Sequence, residues 1–250
     1  MTDARQPSGL FGKVPQQADF VSLHLPATFT ESWHAWLQAT LSVSREQLGD
    51  DWLALYLTGP IWRFALSAGV CGEAAVAGVL IPSVDEIGRY FPLTVAHLGR
   101  HRPWSAYLSG GDWYDAAERV ALLALDEATG YSRLVEAVEA LAPPQFRALP
   151  RLRAQPSVVG RDSAWVVSLP PGLPAFDLLP GLLEQTYGRL LGRCSLWWTE
   201  GSERVEPCLL VSAGLPEVGQ VAAMLDGDWQ RWKWATEQIV PAAEPEPAPA

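Results

Sequence analysis

Cysteine is scarce in this 250-residue chain: Cys71, Cys194 and Cys208 are too few, and odd in number, for a disulfide framework. No C-x-x-C pair occurs. Lysine is scarcer still, with Lys13 and Lys233 standing beside sixteen arginines. A formal net charge of −10 gives no general affinity for DNA, RNA or anionic lipid. G-x-S-x-G, H-E-x-x-H and G-x-x-x-x-G-K-[ST] are all missing, which removes the commonest hydrolase, zincin and nucleotide signatures. The longest apolar windows, near residues 74–82 and 120–125, fall far short of the ~20 residues a membrane helix needs. The opening MTDARQPSG has one arginine and no apolar run, so it does not read as a secretory signal. The expectation is a soluble protein of a reducing compartment, which in a bacterium is the cytoplasm, with no nucleic-acid partner and no direct membrane insertion.

What is present suits a large core. Hydrophobic residues make up 48% of the chain and charged ones 18%, and the twelve tryptophans each remove a large apolar surface from water when buried. Residues 1–9 read as a loose leader and 10–25 as extended pieces broken by Gly12 and Pro15. A long helix follows, with Thr28 and Glu31 at capping-box spacing and Phe29, Trp33, Trp36, Leu37 and Leu41 on one face. WLALYL (52–57) fits helix or strand. IWRFALSAG (61–69) alternates, EAAVAGVLIP (73–82) reads as a central strand, and FPLTVAHL (91–98) as a third. Two or three adjacent strands without long crossovers point to an antiparallel meander.

Asp112 is placed to cap a helix ending at Gly130, and Ser132 to open another that Pro143-Pro144 stops. Residues 143–161 hold two further prolines and four arginines and mark a possible lobe boundary. SAWVVSLP (163–170) reads as a strand, and the segment from Pro180 as a helix. Ser195–Thr199 and Val205–Ser212 read as a hairpin around Glu200-Gly201-Ser202, and EVGQVAAML as a short helix. Residues 236–250, rich in proline, alanine and glutamate, read as a disordered tail. The pattern predicts an α/β fold: one domain over 10–235, a three-layer α/β/α sandwich around a mixed, largely antiparallel sheet.

Candidate chemistry is thin. His97 and His101 have metal-ligand spacing for a helix, but Gly99 and Pro103 favour a loop carrying surface histidines. Cys194 and Cys208 could face each other across the hairpin as reduced thiols. Arg147, Arg151, Arg153 and Arg161 could meet a phosphate or an acidic partner, or be a solvated loop. SVDEIGRYFPLT (83–94) sets Asp85, Glu86 and Arg89 in an otherwise burial-ready segment. Those charges fit a metal-dependent hydrolase or phosphatase-like site using Asp85 and Glu86, a buried ion pair, or a displayed recognition loop. Chemistry alone does not separate the last two.

LFGKVPQQADFV (10–21), the Trp-rich WHAWLQATL, PIWRFALSAGVCG (60–72), GVLIPSVDEIGRYFPLT (78–94), SLWWTEG (195–201) and GLP (214–216) come in an order that resembles the TagF, or ImpM, family of type VI secretion. The resemblance covers roughly residues 10–225. It implies a non-enzymatic, cytoplasmic accessory protein that represses the secretion machine after translation, with no cofactor, no metal and no catalytic residues. A forkhead-associated scaffold protein is the partner it implies. The positions matched are Lys13, Asp19, Trp62, Arg63, Ser83, Asp85 and Arg89, expected to form a polar cluster at strand and loop junctions. Action by protein contact further predicts an exposed apolar or aromatic patch, including Trp197 or Trp198 if the hairpin has one open face.

Overall fold

The computed structural model describes residues 6–126, 128–149 and 178–237. The strand read at 163–170, the arginines at 151, 153 and 161, and the tail from 238 onward lie outside the described residues. Among the described residues, seven strands form one sheet: β1 (Gly9–Gly12), β2 (Val21–Leu23), β3 (Trp62–Leu66), β4 (Ala75–Ile81), β5 (Leu93–Gly99), β6 (Cys194–Thr199) and β7 (Cys208–Ala213). Their order is β2-β1-β5-β4-β3-β6-β7, and every pairing is antiparallel. The β3–β4–β5 meander is its centre.

Strand alternation divides the core. On one face Phe64, Leu66, Val76, Leu98 and Trp197 pack against Phe29, Trp33 and Trp36 of α1 (Ala27–Leu48). Trp33 is fully buried, lies 4.8 Å from the Phe64 ring and 5.9 Å from Trp197, and donates its indole N–H to Thr94 Oγ1 at 2.8 Å. The six-residue segment 52–57 is helix, α2 (Trp52–Leu57), on this same side. On the other face Leu10, Val79, Ile81, Leu93 and Val95 meet α4 (Gly111–Leu125) and α5 (Tyr131–Ala140). Here α3 (Pro103–Ser109) and α6 (Leu179–Leu191) complete the layer.

Gly78 on β4 is a packing requirement. A Cβ there would stand 2.4 Å from the Phe64 ring and 2.8 Å from the Val95 carbonyl oxygen. Gly78→Ala is therefore expected to lower unfolding free energy by about 1–3 kcal/mol in urea titration, as overpacking does.

Local details correct several expectations. Thr28 and Glu31 form no capping box: Pro26, held extended at ψ 149°, ends the preceding segment, so Thr28 is already inside the first turn. No side chain caps that helix. Likewise α4 starts from Gly110, with Asp112 in its first turn. EVGQVAAML divides into a 3-10 turn at Val218–Gln220 and the one-turn helix α7 (Ala223–Asp226). The β6–β7 connection is the eight residues 200–207, which sets Cys194 opposite Ala213 and Cys208 opposite Thr199. The two thiols thus sit at opposite ends of the hairpin and cannot pair. Burial pushes the thiols of Cys194 and Cys208 each up to about 11. Trp197 is fully buried rather than part of a surface patch, because both faces of the sheet are covered.

Candidate functional site

At the junction of β1 and β5 the sheet brings two distant segments together. Gly12 makes this possible: at φ 139° it passes so close to β5 that a Cβ would stand 2.2 Å from the Pro92 carbonyl oxygen. The next residue, Lys13, is thereby delivered under the loop between β4 and β5. That loop is closed by the Val84–Tyr90 bridge, and Phe91 N donates to Ser83 O at 3.1 Å.

Asp85 is its hub. Oδ2 accepts from Lys13 Nζ and from Arg89 Nε, the latter at 2.6 Å. Oδ1 accepts from the amides of Arg89 at 2.7 Å and Ile87 at 3.2 Å. These four donors occupy the four lone-pair positions of the carboxylate. Burial alone would raise the Asp85 carboxyl, but the bonds from Lys13 and Arg89 hold it well below the usual carboxylate range. Arg89 also donates to the Ala18 carbonyl, and Glu86 N donates to Gln17 O at 3.3 Å, so residues 17–18 are tied to the loop. Lys13 lies 5.1 Å from the Phe20 ring centre, a cation–π contact.

Ser83 anchors the other side. Its hydroxyl donates to the Lys13 carbonyl at 2.7 Å. Tyr56 of α2, which the sequence did not single out, donates its hydroxyl to Ser83 O at 2.9 Å and accepts from Ser83 N at 3.0 Å. Burial raises the Tyr56 phenol, against a smaller lowering from the Ser83 backbone bond. Lys13, Ser83 and Asp85 are buried, whereas the Arg89 side chain is half exposed and Ile87, at the tip, is 65% exposed. Phe20 is exposed beside them, its ring 4.8 Å from Phe91 and 4.9 Å from His34.

Of the seven positions read from the sequence, the structure therefore brings together Lys13, Ser83, Asp85 and Arg89. Asp19 is exposed next to Ala18. Trp62 and Arg63 lie elsewhere, on opposite faces of β3. Trp62 is buried against the α1 layer and donates to Met224 O at 3.2 Å. Arg63 reaches the other layer, donating to Glu118 Oε1 at 2.6 Å and Asp115 Oδ1 at 2.8 Å on α4. The Glu118 bond leads in raising its pKa further. This is a sheet-to-helix clamp, and its partners were invisible without the α4 packing.

Other features carry less chemistry. A cavity of about 60 Å³ between α1, α2 and α7 is lined chiefly by Trp36, Leu37, Trp62, Leu80, Met224 and Leu225, with no carboxylate in its wall. Among the described residues no cluster of three His, Cys, Asp or Glu is placed to hold a metal ion. No helix among them is long and apolar enough to cross a membrane. His97 corrects the surface reading: β5 runs through it to Gly99, and its side chain is buried against Trp113.

Residues 9–141 match the TagF N-terminal domain, described as type VI secretion system-associated. The chain belongs to the TagF family. All seven candidate positions of this TagF chain fall inside the matched span. The crystal structure of PA0076 from Pseudomonas aeruginosa PAO1 is similar over 96% of this chain and 100% of that one, at 32% identity and a TM-score of 0.74. No curated protein matches the chain.

Proposed function

We propose that this TagF-family chain is a non-enzymatic, cytoplasmic repressor of a type VI secretion system. It acts after translation by contact with a forkhead-associated scaffold protein. Support for contact rather than catalysis comes chiefly from one observation: Asp85 is consumed by four internal donors while the loop it braces holds Ile87 and the Arg89 guanidinium toward solvent. A metal at Asp85 would have to displace Lys13 or Arg89. A braced loop with an apolar tip, an arginine and a neighbouring phenylalanine has the composition of an interaction hot spot, pre-ordered so that little entropy is lost on docking. Repression then follows if the partner is bound more tightly in its inactive state.

The test is quantitative pull-down of the forkhead-associated protein encoded with the secretion system. Ile87→Asp alters the exposed tip without touching the brace, and is expected to weaken capture at least tenfold with melting unchanged. Arg89→Lys cannot bond Asp85 and the Ala18 carbonyl together, since lysine lacks the planar fork, and is expected to lower both capture and melting temperature. Undiminished capture by both variants would remove this loop from the contact. Turnover of a generic phosphatase substrate that Asp85→Asn abolishes, in a variant whose circular dichroism at the assay temperature shows it still folded, would replace the proposal with the hydrolase reading.

A further inference from the structure

The two edges of the sheet are finished differently. β2 is three residues long and runs into His24, whose φ of 57° turns the chain aside, with Pro26 two residues on. Shortness and a nearby proline are ordinary protections of an edge. β7 is twice as long: Cys208–Ala213 is six residues with no charge, proline or glycine inside the strand, and its nearby proline, Pro207, lies just before the first of them.

Register shows what this edge presents. Gly214 N donates to Arg193 O at 2.7 Å, continuing the Cys194–Ala213 register, while Ser67 N donates to Cys194 O at 2.9 Å on the other side of β6. Hydrogen-bonded pairs alternate along an antiparallel ladder. Cys208, Leu210 and Ser212 therefore bond to β6, and the N–H and C=O groups of Leu209, Val211 and Ala213 point out of the sheet. Among the described residues no strand pairs with them. Their side chains share a face with Trp198, which packs on Tyr107 of α3 and Tyr114 of α4. On that face α6 contacts both β6 and α3, and its Leu179, Leu183 and Leu190 form one helical stripe, 47%, 37% and 73% exposed.

We propose that β7 and α6 form a homodimer interface, with β7 of one copy antiparallel to β7 of a second about a two-fold axis at Val211. The register is what selects a second copy. Outward-facing residues pair only with outward-facing residues, so Val211 meets Val211 and Leu209 meets Ala213. A shift one way would bring in Pro207, which has no N–H, and a shift the other way reaches Gly214, where φ of 65° has already turned the chain. The pairing that uses all three outward residues is thus self-complementary, as a closed two-fold contact requires. The uncharged strand lets two molecules of net charge −10 meet without opposing like charges across the ladder. A six-residue ribbon alone falls short of the ~800 Å² per partner of a standard interface, and the exposed leucine stripe of α6, which packs on the neighbouring strand β6, is the further apolar area the proposal draws on.

Light scattering and sedimentation of the full chain test this. At micromolar concentration the expected mass is about twice 27.3 kDa. Val211→Lys and Val211→Glu are each expected to halve it with circular dichroism unchanged, and mixing the two restores the dimer because opposite charges then meet at the axis. Leu190→Glu, a surface change on α6, is expected to weaken dimerisation at least tenfold should the strand variants not fold. In hydrogen exchange the amides of Leu209, Val211 and Ala213 are protected in the dimer and open in the monomeric variants. A monomer at every concentration overturns the proposal, as does a dimer indifferent to both Val211→Lys and Leu190→Glu. Protected β7 amides in a monomer would assign the edge to another segment of the same chain, which overturns it too.

Discussion

Asp85→Asn is expected to lower the free energy of unfolding by about 3–5 kcal/mol, because it leaves the Lys13 ammonium buried with no counter-charge. The substitution hardly changes shape. If Asn keeps its one oxygen for the amides of Ile87 and Arg89, it presents an NH₂ donor to the Lys13 Nζ and Arg89 Nε donors; flipped, it offers them a neutral oxygen and turns the NH₂ toward the two amides. The desolvation of Lys13 then goes uncompensated, and the melting temperature falls by roughly 10 °C for a chain of this size. A double-mutant cycle separates the pair from the loop. Lys13→Met alone leaves Asp85 with Arg89 and two amides, so its loss is smaller. Lys13→Met combined with Asp85→Asn removes both charges and recovers much of the single-variant loss. Additive losses in urea titration would show that Lys13 and Asp85 are not coupled and that the loop is held by Arg89 and its backbone bonds without Lys13.

This brace was half legible in the sequence. Asp85 and Arg89 are four residues apart and their pairing could be read directly, although the segment is a tight loop between strands and not a helical turn. Lys13 is 72 residues from Asp85, and only the β1–β5 register joins them. The seven-residue α3 was missed for a related reason: Gly99 and Pro103 read as loop punctuation, whereas Pro103 in fact sits in the first turn, where its missing N–H costs nothing. Strong periodicity fared better. Phe29, Trp33, Trp36 and Leu37 mark the buried stripe of α1, and Trp62, Phe64 and Leu66 alternate with Arg63 as a strand should. Adjacent tryptophans 197 and 198 misled because a two-sided core covers both faces of β6. Alternation reports which residues oppose each other, not which side meets water.

The second large effect comes from the misread histidines. His97 and His101 sit near each other at the end of β5, the first facing Trp113 at 6.3 Å between ring centres and the second facing Phe146 at 4.7 Å. Neither His97 Nδ1 nor His101 Nε2 has a hydrogen-bond partner. Burial lowers His97 to about 4. Burial also lowers His101 to about 4, opposed by a Val76 backbone bond and helped by His97 itself. With folded values below the unfolded 6.5, the unfolded chain binds more protons as pH falls, so stability decreases on acidification. The loss begins near pH 6.5, is complete near pH 4, and amounts to on the order of 5 kcal/mol for the two groups together. Asp85 acts in a separate window: its depressed carboxyl stabilises the fold above about pH 4 and gives that contribution up only at lower pH. Urea midpoints measured from pH 7 to 4 resolve the two. His97→Leu and His101→Leu are each expected to flatten about half of the slope between pH 6.5 and 4 while leaving the steeper loss below pH 4 in place. A slope in the upper window that survives both substitutions would mean that other groups carry the acid sensitivity. The imidazoles would then have to be hydrated within the fold, against their packing on Trp113 and Phe146.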